Sequence, residues 1–283
     1  MFSFLFGLST ALIVDRAVGR TERPRVVLLR RLLTLGVIGA AHQLLQPGEA
    51  LLPYALVGLV VLLPATWLPR VVVLLGGLAG TAVPLVAGIA GLGLVPGLFL
   101  LGLASARYGL PAALDRPVRW RWTLVLVGAV ALTVPLLVLQ VGDIANSGFS
   151  RVSAIAGLAL AVTYCAGLVL LLHGRLGAVL SGVLAPLGRL SLTNYLSATL
   201  VVAAATGPLG LADGDSYGVA LVLACVIVVG QVLAGRWWTT RFRYGPAEWV
   251  LRTVSWWSPA PMRQPARARR ARGPDAVRER WTG

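Results

Sequence analysis

"WRWTLVLVGAVALTVPLLVLQ", residues 120–140, carries no charged residue after its opening Trp-Arg-Trp. Wound as a helix at about 1.5 Å per residue, the run reaches roughly 30 Å, the hydrocarbon thickness of a bilayer. A surface helix of a water-soluble domain would show a polar face, and this one has none. Comparable apolar runs occupy 1–15, 32–46, 50–68, 71–88, 92–107, 153–173, 190–206 and 217–235. No polar break divides 71–107, so the glycines of "GIAGLG", 88–93, supply the expected turn. The pattern predicts an all-α fold, a polytopic transmembrane helical bundle of about nine spans. A transmembrane β-barrel would need shorter, alternating segments, and the sequence has none.

Composition agrees. Of 283 residues 57% are hydrophobic and only 12% charged, with a mean hydropathy of +0.82, whereas soluble domains carry about 25% charged residues. Cys165 and Cys225 fall mid-span and imply no disulfide framework. The net charge of +15 comes from arginine alone, since the chain has no lysine.

Arginine placement sorts the loops. Arg16, Arg20, Arg23, Arg25, Arg30 and Arg31 crowd the first loop, Arg70 follows the third span, and Arg107, Arg116, Arg119 and Arg121 follow the fifth. Arg175 and Arg189 flank the next basic loop. The alternate loops, "QPGEA", "VGDIANSGFSR" and "GPLGLADGDS", hold Arg151 as their one cation. Positive loops stay cytoplasmic, which puts the C-terminus inside and the N-terminus outside. Met1 opens on an apolar helix with no charged lead-in. Either the first span is short, or a helix that starts inside precedes this reading frame; the second is the expectation. No fixed-period repeat and no inverted pair of broken helices emerges.

Polar residues at membrane depth need a partner or a water-lined cavity, so they mark candidate sites. In "GAAHQLLQPGEALLPYALVG", 39–58, His42 lies near the outer end of its span, with Gln46 on the same helical face and Glu49 past the Pro47-Gly48 turn. Tyr54 opens the returning span. His42 would be a general base oriented by Glu49, as acyl or proton transfer requires, with Tyr54 at the same rim. Alternatively His42 is a solvated helix-end residue beside a loop glutamate. In "APLGRLSLTNYLSATL", 185–200, Arg189 sits at the inner entry of a helix on which Ser191, Asn194 and Tyr195 share a face. Arg189 and Asn194 suit an anionic headgroup or phosphate; they equally suit interhelical bonding and a positive anchor. In "RFRYGPAEWVLRTVSWW", 241–257, Pro246 opens a short interfacial helix, Glu248 falls in its first turn, and Arg252 stands at ion-pair spacing. Trp237, Trp238, Trp249, Trp256 and Trp257 suit the headgroup layer. No metal site is assigned.

"GRLSLTNYL" followed by "FRYGPAEWVLRTVSWW" resembles the C-terminal signature of the YeiB-like membrane family (domain of unknown function 418), with its G-R-x-[AS]-L-T-N-Y and G-P-x-E-W-x-x-R motifs. "FSFLFG", the paired Arg30-Arg31, "GAAH" and "LPYALVGL" resemble the family's upstream landmarks, so the likeness runs from Phe2 to about Trp257. The family's charged first helix is absent here, and Glu49 stands where an aspartate is usual. The resemblance implies a multi-pass protein of the bacterial cytoplasmic membrane. It also implies a likeness to membrane acyltransferases that move an acyl group from a cytoplasmic donor, acyl-CoA among the candidates, to a sugar or lipid. On that analogy His42 and Glu49 stand near the acceptor, and Arg189, Asn194, Glu248 and Arg252 near the donor. The competing readings are a non-catalytic membrane scaffold and a small-molecule transporter.

The division expected is a transmembrane helical domain, 1–257, and a disordered basic cytoplasmic tail, 258–283. The tail's seven arginines suit anionic lipid headgroups at the bilayer surface. Nucleic-acid binding has neither a fold nor an aromatic pattern to support it.

Overall fold

In the computed structural model, which describes residues 1–142, 148, 150–210 and 217–264, the chain breaks inside 71–107 where the glycines foretell it. Gly88 adopts the left-handed φ of 77° and ends one helix, and a 3-10 turn, Gly91–Leu94, starts the next. Every named element among the described residues is helical: α1 (Phe2–Val18), α2 (Pro24–His42), α3 (Leu51–Ala65), α4 (Arg70–Ala87), α5 (Val95–Arg107), α6 (Leu110–Asp115), α7 (Arg119–Val141), α8 (Arg151–Leu172), α9 (Gly177–Arg189), α10 (Ser191–Thr206), α11 (Tyr217–Arg241) and α12 (Pro246–Trp256). Four of them, α4, α7, α8 and α11, are long and apolar enough to cross a membrane; α3 and the Gly91–Arg107 stretch are apolar but shorter.

Two boundaries differ from the apolar pattern. α2 begins at Pro24, inside the basic loop, and not at 32. Proline at the first helical position is pre-set for helix and arginine is a good helix former, so the helix starts where backbone preference allows and not where apolarity begins. α9 forms where a loop was expected, because its glycines and Pro186 broke the apolar run used to find spans.

The chain divides into two compact units, Met1–Gly39 with Ala50–Ala178, and Ala40–Glu49 with the chain from Val179 onward. In the first unit α1 and α5 cross at glycine: a Cβ on Gly7 would strike the Phe99 carbonyl, and one on Gly102 the Phe4 carbonyl. Small residues allow such approach where no hydrophobic effect draws helices together. The core around this crossing is Ala11, Leu62, Val73, Phe99 and Leu103, with Phe6 stacked on Phe99 at 4.9 Å between ring centroids. α7 and α8 pair through buried Ala129, Ala159 and Ala166 and a Thr133–Thr163 hydroxyl contact of 3.1 Å. At one end of this unit Arg107 donates to the carbonyls of Leu68 (2.8 Å) and Thr66 (3.1 Å), and Arg25 Nε donates to Thr66 Oγ1 (3.2 Å). Three segments that the sequence marks as basic or inner therefore meet.

Candidate functional site

The first N–H groups of a helix have no acceptor within it. In the second unit that deficit joins the two C-terminal motifs. Leu190 leaves the helical region (φ −112°) and α10 starts at Ser191. Glu248, in the first turn of α12, turns its carboxylate to that start: Oε1 accepts from the N–H of Leu192 at 2.7 Å and of Thr193 at 2.9 Å, and Oε2 accepts from Thr193 Oγ1. The favour is returned, for Thr193 Oγ1 accepts from the N–H of Ala247, in the first turn of α12, at 3.2 Å. Each helix thus receives its cap from the other, with a carboxylate at the positive end of both macrodipoles. A Cβ on Gly245 would strike Glu248 Oε2 and the Thr193 hydroxyl, so the glycine of the Gly-Pro turn is set by this knot.

The surrounding bonds hold the same joint. Arg189 Nη2 donates to the Arg243 carbonyl at 2.9 Å, and Trp238 Nε1 to that of Tyr244 at 2.9 Å. The Asn194 carbonyl accepts from Gln231 Nε2 on α11 at 2.8 Å. Arg252 lies over the Tyr244 ring at 5.1 Å and near that of Trp256 at 5.9 Å, so its i+4 spacing serves the aromatic rings while Glu248 serves the helix starts. The chain past Trp257 also takes part: Arg243 N–H donates to the Met262 carbonyl at 2.9 Å, and Gln264 N–H to that of Arg241 at 3.1 Å. Residues 258–264 therefore return along the end of α11, a pairing that composition does not reveal. The remaining tail, 265–283, lies outside the described residues with all of the tail's arginines but Arg263.

His42, Gln46 and Glu49 belong to this unit. The His42 ring lies 5.2 Å from that of Tyr195, inclined at 49°, and Gln46 Oε1 accepts from Thr199 Oγ1 at 2.8 Å. Tyr195 and Thr199 are successive turns of α10, so the segment that carries His42 docks on the helix opened by the Thr-Asn-Tyr motif. Sequence reading sends these two constellations to opposite membrane faces; the structure sets His42 and Gln46 against Tyr195 and Thr199, in the second and third turns of α10. The solvated alternative for the histidine and the glutamate does not hold, since His42 is 4% and Glu49 2% exposed. His42 Nε2 is buried with no hydrogen-bond partner among the described residues. Tyr54 belongs to the other unit, where its hydroxyl meets Ser3 Oγ at 2.7 Å and its ring lies among Phe2, Phe6 and Phe99.

Reading the sequence missed the part of Thr193 in the cap, the reason for Gly245, and Gln231. The Gly-Pro-x-Glu order before an amphipathic helix was the available signal for the first two; nothing local marks Gln231. Chemically, the arrangement offers one buried imidazole nitrogen, an adjoining phenol ring and a rigid helix start.

The chain matches, over residues 105–258, the model of a family described as protein of unknown function (DUF418). It is 30% identical over 276 residues to an uncharacterized 39.9 kDa protein in the amylase 3' region of Bacillus acidopullulyticus, covering 90% of this chain and 79% of that one. No solved structure matches.

Proposed function

The chain belongs to the DUF418 family, and on that premise we propose that it is a multi-pass membrane acyltransferase, moving an acyl group from a cytoplasmic thioester donor such as acyl-CoA to a sugar or lipid hydroxyl. The observation that carries the reading is His42, buried to 4% exposure with an unpartnered Nε2. A buried polar atom without a bond costs about 1–3 kcal/mol, and a general base must keep one nitrogen available for its substrate. Depth supports it further. From Leu32, just past Arg30-Arg31, to His42 the helix rises about 15 Å, half the hydrocarbon thickness. An ionisable side chain at that depth marks function by default.

His42 takes the proton of the acceptor hydroxyl as its oxygen attacks the thioester carbonyl. The C–S bond then breaks and the thiol leaves with a proton returned by the imidazolium. Glu49, buried in the same unit, biases the tautomer; Tyr195 holds the ring. Arg189 and Arg252 meet the donor's phosphates, with Asn194 beside them. Glu248 acts by holding α10 and α12 together and not by touching donor. The protein is placed in a bacterial cytoplasmic membrane with about nine spans and its C-terminus in the cytoplasm, on the strength of arginine asymmetry. The test is labelling of lipid and sugar acceptors by radiolabelled acyl-CoA with purified full chain. Wild type transfers label, and His42→Ala loses at least about 100-fold of the rate; undiminished transfer removes the proposed base.

A second reading, a non-catalytic scaffold, is favoured by one specific observation: Glu248 and Tyr54 spend their polar atoms on internal bonds. It requires that His42→Ala and Glu49→Ala leave membrane assembly and cell phenotype unchanged.

A further inference from the structure

Between α10 and α11, within the second unit, lies an open groove of about 410 Å³. Its walls run from Leu190 to Val201 on one helix and from Val226 to Trp238 on the other. Twelve residues of helix rise roughly 18 Å, close to the depth of one leaflet. The polar side chains on the walls turn inward to backbone: Gln231 Nε2 donates to the Asn194 carbonyl at 2.8 Å and Ser197 Oγ to the same atom at 3.1 Å. What they leave facing the groove is apolar. Gly230 widens its middle, since a Cβ there would meet nothing within 4 Å.

Arginines cluster next to one end of the groove. Arg241 continues the stripe of α11 that lines it and lies over the Trp237 ring, 4.3 Å from the centroid. Arg189 precedes Leu190 and is tied to the Arg243 carbonyl, and Arg189, Arg241 and Arg243 are all exposed. The only acidic side chain among the described residues of 177–264 is Glu248, and its carboxylate is occupied by the two helix starts. Among the described residues of 177–264 no other carboxylate stands beside the arginines. Tryptophans and arginines at one end of a leaflet-deep apolar slot match the parts of an anionic phospholipid, headgroup and chain, in register.

The geometry points to a bound anionic glycerophospholipid, one acyl chain lying in the α10–α11 groove and its phosphate among Arg189, Arg241 and Arg243. The proposal does not rest on acyl transfer, because it is read by binding and not by turnover. The lipid belongs to the leaflet that faces the arginine-rich end, and it seals the seam between the helix that carries the cap and the longest span.

Native mass spectrometry of the purified full chain, titrated with phosphatidylglycerol or phosphatidylcholine in detergent, tests it. Wild type retains one phosphatidylglycerol at concentrations where phosphatidylcholine is lost. Gly230→Leu, whose side chain fills the open space, weakens retention by about tenfold, and the surface change Arg241→Gln by about fivefold. Thermal melting in the same detergent confirms that both variants are folded; should Gly230→Leu not fold, Arg241→Gln carries the test. Glycerophosphoglycerol, the headgroup without chains, does not compete at the lipid's concentration. Equal retention of both lipids, retention unmoved by either folded variant, or competition by the headgroup alone overturns the proposal. So does a wild-type dimer that Gly230→Leu dissolves, which would assign the groove to a second copy of the chain.

Discussion

Glu248 separates two physical accounts of the same spacing. Paired with Arg252 at i+4 it would contribute a few tenths of a kcal/mol on a helix surface. Capping α10 across the joint, it satisfies two backbone N–H groups and a hydroxyl. Glu248→Ala is therefore expected to cost about 2–3 kcal/mol, and Glu248→Gln, which keeps one acceptor, less. Arg252→Gln, which loses only ring contacts, costs about 1 kcal/mol or less. Thermal unfolding in detergent orders the three. A cost for Arg252→Gln equal to that of Glu248→Ala would restore the ion pair. Because Thr193 caps α12 in return, Glu248→Ala and Thr193→Val should be non-additive by about 1 kcal/mol or more in a double-mutant cycle; strict additivity would mean the two caps are independent.

Helix pairing in the first unit follows close backbone approach more than side-chain bonding. Thr133 and Thr163 share one hydroxyl contact between α7 and α8, and interhelical bonds of this kind average about 0.6 kcal/mol. Thr133→Val should cost about that much. Gly102→Leu, by contrast, drives a side chain into the backbone of α1 near Phe4 and Leu8 and is expected to cost at least about 2 kcal/mol. Comparing melting temperatures of the two variants in one detergent checks the order. The apolar runs already disclosed most of these helices, because lipid-facing sequence is written residue by residue. The crossings were not legible: Gly7, Gly77 and Gly102 look alike in a glycine-rich chain, and only the neighbour across the gap distinguishes them. Short α9 and the early start of α2 escaped for a related reason, since hydropathy reports burial in lipid and not helical backbone.

For the whole molecule, arginine asymmetry fixes an expected orientation. A cysteine at Tyr217, 82% exposed at the start of α11, should react with an impermeant maleimide in intact cells, whereas one at Arg116 should react only after permeabilisation. The reverse order would invert the proposed topology. The motifs themselves were legible at this scale as candidate site residues, and the docking of the His42 segment on α10 was not. Residues that lie far apart in sequence meet through ring packing and one amide–hydroxyl bond, which leave no periodic trace. The functional account depends on that meeting. Its most direct measurement is cross-linking of Gln46→Cys with Thr199→Cys by a short bis-methanethiosulfonate, in a chain carrying Cys165→Ala and Cys225→Ala, in native membranes. Near-complete cross-linking within one chain is expected. Both thiols free to alkylate, with the chain folded and no cross-link formed, would contradict it.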